Sequence, residues 1–112
     1  PAERAIYFLG GKWKIRIVFL LYQNKKNRFG EIKKWLTTIT QQMLSKQLKE
    51  LEIDGLINRK VFQVVPPKVE YSLTEFGSSL IPILRSFSDW NKKNGRTISL
   101  KLNKNFEESR IR

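Results

Sequence analysis

The chain has 112 residues, of which 22 are Lys or Arg and 10 are Asp or Glu, for a formal net charge of +12, and it contains neither Cys nor His. That length fits one small domain, and the missing residue types exclude a disulfide scaffold, a zinc finger, a Cys nucleophile and a His general base. The acids are too scattered for a carboxylate active site, and the one cluster, Glu50, Glu52 and Asp54, reads as solvated charge at a helix end. An enzyme, a metal and a cofactor are therefore not expected.

No run reaches the roughly 18 apolar residues of a membrane span. Ile15 to Tyr22 is apolar, but Arg16 interrupts it and no small-residue cleavage site follows, so no signal peptide is read and a cytoplasmic location is expected. Residues 3–9, ERAIYFL, have the pattern of a short helix that Gly10-Gly11 stops. Lys12 to Gln23 follows, with Trp13, Ile15, Ile17, Val18, Leu20 and Leu21. Its β-branched residues suit a strand and its length suits a helix; length decides for helix. Trp13 is read as core, not as a stacking platform. Gln23 to Asn27 is a polar loop, and from Arg28 the residues Phe29, Ile32, Trp35 and Leu36 mark a short amphipathic helix, with Lys33 and Lys34 outside and Thr37-Thr38 closing it.

Ile39 to Lys60 is the stretch around which the rest is arranged. Leu44, Leu48 and Leu51 fall at i, i+4 and i+7, one apolar stripe at helical period. Thr40 stands where an N-cap belongs, because its hydroxyl can accept an unsatisfied N–H of the first turn. Gly55 stands where a left-handed C′ residue belongs, and Leu56 would fall back on Leu51 in a Schellman ending. The outward face carries Gln41, Gln42, Ser45, Lys46 and Lys49, with no carboxylate before Glu50. Such a set suits nucleic acid, since Gln can pair with adenine and Lys with guanine or phosphate; the plain alternative is a solvated face that lacks acids. A short helix, a turn and a longer helix with a basic face is the helix-turn-helix arrangement, in which the first helix crosses the DNA backbone and the second enters the major groove.

Ile57 to Val64 is rich in β-branched residues, Pro66-Pro67 interrupts it, and Val69, Tyr71 and Leu73 alternate with Glu70 and Ser72 as in a half-buried strand. Two strands around a Pro-containing loop make a wing whose Arg59, Lys60, Gln63 and Lys68 can reach phosphates. Charge agrees: residues 25–68 carry a net +6 and residues 69–95 are neutral, a footprint that fits a polyanion binder better than a membrane surface. Thr74 is a second N-cap, expected to open a long helix from Glu75 to about Asn94, which Pro82 should kink. Leu80, Ile83, Leu84, Phe87 and Trp90 keep helical spacing and offer more apolar surface than a small domain covers, which reads as a dimerisation element. Residues 96–112 are basic, with a weak alternation at Ile98, Leu100 and Leu102 that fits a short strand or a loose tail. The fold class is mainly α with a small β-wing (α+β), a winged helix-turn-helix over residues 1–95 followed by a basic C-terminal tail over residues 96–112.

The order of residues resembles the HxlR-type winged-helix transcriptional regulators of bacteria. The resemblance rests on Gly11-Lys12-Trp13, Arg28-Phe29-Gly30-Glu31, Ile39-Thr40-Gln41, Met43-Leu44-Ser45, Leu48-Lys49-Glu50-Leu51-Glu52 and Asp54-Gly55-Leu56-Ile57. Val65-Pro66-Pro67-Lys68-Val69-Glu70-Tyr71-Ser72-Leu73-Thr74-Glu75-Phe76-Gly77 is its most specific part. It implies a homodimeric DNA-binding repressor or activator, with a repressor the preferred reading, whose helix-turn-helix and wing contact an inverted repeat in double-stranded DNA. It also implies dimerisation through the terminal helices, involving Ile6, Leu9, Leu80, Ile83, Leu84, Phe87 and Trp90. Gln41, Gln42, Ser45 and Lys46 are then expected to read base edges. Lys33, Lys34, Thr40, Lys49, Arg59, Lys60, Gln63 and Lys68 are expected to hold the backbone and wing side of the duplex. Such a protein would be nucleoid-associated.

Several members of that family sense electrophiles or oxidants through a Cys near the N-terminus. This chain departs from them: it has no Cys, so thiol sensing by these residues is excluded. In those members the Cys lies just before the residues matching Pro1-Ala2-Glu3-Arg4, so a thiol outside these residues stays open, and a small-molecule effector of unknown chemistry is left open too. Two rivals share the pattern. A nucleoid-type or RNA-binding winged helix would lack the roughly 10³-fold preference of a regulator for its site, and a protein-interaction module would not need the basic excess on residues 25–68.

Overall fold

In a computed structural model of the chain, residues 12–111 are described, those from 98 onward by their backbone alone. The expected helix over residues 3–9, with Ile6 and Leu9, lies outside the described residues. The chain divides after Ile81 into two compact units.

In the first unit the apolar stretch after Gly11 is a helix, α1 (Lys14–Asn24), which buries Ile17, Val18, Leu20 and Leu21. Trp13 is half-buried rather than core: the Lys12 ammonium lies 4.9 Å and the Arg16 guanidinium 5.3 Å from its ring centre. Helix α2 (Phe29–Trp35) begins where Glu31 accepts the Arg28 N–H at 2.9 Å, and it buries Ile32 completely. Trp35 does not share that apolar side and is 66% exposed. The reason is rotation: six residues on from Phe29 is about 240° around a helix of 3.6 residues per turn, whereas Leu36 comes back into line.

Helix α3 (Gln41–Ile53) is bounded as its local chemistry requires. Thr40 Oγ1 accepts the Met43 N–H at 3.0 Å. At the other end Gly55 has φ +77°, the Leu56 N–H reaches Leu51 O at 2.9 Å and the Gly55 N–H reaches Glu52 O at 3.0 Å. These are the two bonds of a Schellman ending. Leu44, Leu48, Leu51 and Leu56 are all at most 2% exposed and join Ile17, Val18, Ile32, Ile39 and Ile57 in one core. Fully burying each such side chain contributes about 1.5–3 kcal/mol.

Strands β1 (Ile57–Phe62) and β2 (Lys68–Leu73) pair antiparallel, with Ile57 opposite Leu73 and Phe62 opposite Lys68. The strand read to Val64 thus ends at Phe62, and residues 63–67 form the exposed hairpin loop. Thr74 caps as expected, its Oγ1 accepting the Gly77 N–H at 2.9 Å, but the helix it opens, α4 (Glu75–Ser78), is a single turn. The chain restarts as helix α5 (Ile81–Ile111). The single long helix kinked at Pro82 is therefore corrected to two helices. Pro82 has no N–H and would crowd the carbonyl four residues back, so the break places it in a first turn, where that N–H has no helical partner. The Thr74 hydroxyl also donates to Gly55 O at 2.6 Å, and a Cβ on Gly77 would collide with Leu56 O. Only glycine permits that approach, which ties the end of α3 to the turn after the wing.

The second unit is the body of α5. It stays helical past Asn94 through Ile111, where the sequence left strand or tail open.

Candidate nucleic-acid interface

The α3 stripe fixes which residues look outward. With Leu44, Leu48 and Leu51 buried, Gln41, Gln42, Ser45, Lys46 and Lys49 are all exposed on the remaining face. Thr40 is exposed at the start of the same helix, its hydroxyl already engaged as cap. The first carboxylate of the helix does not belong to this face. Glu50 turns to α1, where its Oε2 lies 2.9 Å from the Nζ of Lys14, a residue only 8% exposed. The hydrogen bond from Lys14 holds the Glu50 carboxyl below its ordinary value, against a smaller opposing effect of burial. Glu50 was read as solvated charge; it is instead the partner of a buried lysine, which would be costly to bury alone. No local signal in the sequence joins the two.

On α2, Lys34 is exposed and Lys33 half-buried. The wing residues separate by strand parity, because successive side chains point to opposite faces. Ile57, Arg59 and Val61 share one face with Val69, Tyr71 and Leu73, and since Ile57 and Tyr71 are buried this is the inner face. Arg59 accordingly lines an open cleft of about 340 Å³ with Ser45, Lys49 and Glu52 of α3, over Leu48, Phe29 and Tyr71. Asn58, Lys60 and Phe62 share the outer face with Ser72, Glu70 and Lys68. There the Lys60 and Lys68 ammoniums lie 4.9 and 5.0 Å from the Phe62 ring centre, and Lys68 Nζ is 2.9 Å from Glu70 Oε1. Gln63 is exposed in the loop. The structure thus brings Arg59 to the recognition-helix side and keeps Lys60 and Lys68 off it, a division the sequence reading had not made.

The expected dimer residues also divide. Ile83, Phe87 and Trp90 are 55–67% exposed on α5, the Phe87 and Trp90 rings 6.2 Å apart, whereas Leu84 is buried within the single chain and Leu80 half-buried. Among the described residues there is no cluster of acids able to hold a metal, and no helix is long and apolar enough to cross a membrane.

The model of the HxlR-like helix-turn-helix family matches residues 8–99. The chain is 49% identical over 94 residues to an uncharacterised HTH-type transcriptional regulator of Halalkalibacterium halodurans, covering 84% of this chain and 83% of that one. It is 50% identical to the HTH-type regulator YdeP of Bacillus subtilis, over 83% of this chain and 72% of YdeP. Among solved structures, the redox regulator HypR in its reduced form superposes with a TM-score of 0.79 at 44% identity, over 88% of this chain and 97% of that one. The chain belongs to the HxlR-like helix-turn-helix family and is a DNA-binding transcriptional regulator with a winged-helix fold, not an enzyme.

Proposed function

From that membership we propose that the chain acts as a homodimeric, sequence-specific repressor on an inverted-repeat operator, reading bases with Gln41, Gln42, Ser45 and Lys46 of α3. The observation that carries this reading is the exposed, acid-free face from Gln41 to Lys49, on a helix held at both ends by caps and pinned along its other side by buried leucines. A reading surface gains from being held in place, which the caps and the buried leucines support. Amides there can pair bidentately with adenine, each good pair discriminating by roughly 1–3 kcal/mol. Lys33 and Lys34 of α2, Lys49, and Arg59 across the cleft would neutralise phosphates and set the register. The exposed Ile83, Phe87 and Trp90 support a self-complementary contact through α5. Two recognition helices would then meet successive major grooves about 34 Å apart.

The test is selection of binding sites from random duplex DNA at near-physiological salt. An enriched inverted repeat is expected; binding without enrichment would leave an architectural DNA-binding protein in its place. Division of roles is checked on the selected site: Gln42→Ala should change which bases are preferred, and Lys34→Ala should weaken every sequence alike and lower the salt slope by about 1. Equal, sequence-independent losses in both variants would refute the division.

A further inference from the structure

The cleft between α3 and the wing holds more chemistry than contact with DNA uses. Ser45, Lys49 and Glu52 line it from α3 at i, i+4 and i+7, a spacing that keeps them on one side of a helix of 3.6 residues per turn. Arg59 enters from β1. Leu48, Phe29 and Tyr71 supply the apolar lining, Leu48 and Tyr71 being buried at 2% and 9% exposure. The volume of about 340 Å³ lies at the small end of the roughly 300–1,000 Å³ typical of small-molecule sites, which combine an apolar lining with a few polar groups.

Charge decides what fits. Among the described residues the side chains of Lys49, Glu52 and Arg59 have no ion-pair or hydrogen-bond partner, whereas Glu50 and Glu70 each hold a lysine at 2.9 Å. Opposite charges thus border one cleft without neutralising each other. A phosphate suits Lys49 and Arg59 but is repelled by Glu52, and a simple cation meets the reverse. A molecule carrying both signs satisfies all three through charge-assisted hydrogen bonds, and the apolar lining favours one with a hydrocarbon or aromatic side chain. In the sequence Glu52 is one of three acids at a helix end; only the packing of β1 beside α3 brings Arg59 to the same cleft.

We propose that this cleft binds a free apolar α-amino acid and that its occupancy releases DNA. The carboxylate meets Lys49 and Arg59, the ammonium donates to Glu52 and to the Ser45 hydroxyl, and the side chain lies on Leu48, Phe29 and Tyr71. Lys49 and Arg59 are also the residues that would hold phosphates, so a bound carboxylate takes them from the duplex. By linkage, DNA weakens the amino acid by the same factor. The effect on DNA rests on the DNA-binding reading above; the site itself does not.

The site is tested first without DNA, by titrating the full chain with L-phenylalanine, L-leucine, L-phenylalaninamide and phenylpropanoate and following backbone-amide NMR shifts. At least one of the two amino acids should bind once per protomer, with a Kd on the order of 1 mM or tighter, and move amides of α3 and β1. The amide lacks the carboxylate and phenylpropanoate lacks the ammonium, and each should bind roughly tenfold or more weakly. Glu52→Gln should weaken the amino acid by a similar factor yet bind phenylpropanoate at least as tightly as wild type, which a misfolded variant would not do. No binding of either amino acid, equal binding of amino acid, amide and phenylpropanoate, or unchanged amino-acid binding by Glu52→Gln overturns the proposal. On the selected DNA site, saturating amino acid should then weaken wild-type binding roughly tenfold and affect Glu52→Gln far less at the same concentration. Amino-acid binding that leaves DNA affinity unchanged refutes the release of DNA alone. A chain with no preferred DNA site refutes the functional reading, while the titration without DNA still decides the cleft.

Discussion

Helices α3 and α5 both show regular apolar spacing, yet they end in opposite circumstances. In α3 the stripe Leu44, Leu48 and Leu51 is at most 2% exposed, closed over by its own unit. In α5 the run Ile83, Phe87 and Trp90 stays 55–67% exposed in the single chain. Periodicity says that a helix has an apolar side; it does not say whose surface covers it. A helix that must present a reading face gains from being pinned by its own core, whereas an unpaired apolar side is what a second copy of the chain can use.

The contrast can be broken most decisively at Leu48. Leu48→Ala removes a fully buried side chain and should cost about 3 kcal/mol in urea unfolding; a loss below about 1 kcal/mol would mean that the stripe does not hold α3. On the other helix, Phe87→Ala should leave the α3 core intact but weaken self-association about 30-fold, equivalent to about 2 kcal/mol, in sedimentation equilibrium. A variant that associates as tightly as wild type would assign the exposed side of α5 to something other than a dimer.

The smallest effect sharpens how α3 is joined to α1. The Glu50 carboxyl is lowered in the folded chain by its hydrogen bond from Lys14. The folded state therefore binds fewer protons there than the unfolded chain. The resulting stability is fully present above the ordinary carboxylate pKa of about 4.3 and is lost as pH falls through the lowered folded value. Glu50→Gln should lower the urea midpoint at pH 7 and converge on wild type in acid. A difference independent of pH would show that the carboxylate charge contributes nothing.

Much of the candidate site was legible because its determinants are local. Thr40, the leucine spacing and Gly55-Leu56 act within a few residues of one another, and the structure has each where its chemistry puts it. The hairpin was legible for the same reason. Pro82 carried a local signal that admits two outcomes, a kink inside a helix or a place in a first turn, and the tight packing of Gly77 against Leu56 accompanies the second. Trp35 went astray because spacing of i+6 does not return to the same side of a helix.

By itself, then, the amino-acid sequence determined the helix-turn-helix and the wing, the caps of α3, the basic excess on residues 25–68 and, through its motifs, the family. Tertiary structure alone decided the pairing of Lys14 with Glu50, the joining of Asn27 to β2, and the division of the wing cations between two faces. The physical reason is range. Caps and periodicity are set by neighbours along the chain, whereas a strand register shifted by one residue would turn Arg59 and Lys60 to each other's side. Only the packing of Ile57 and Tyr71 into the core selects which of the two looks toward α3.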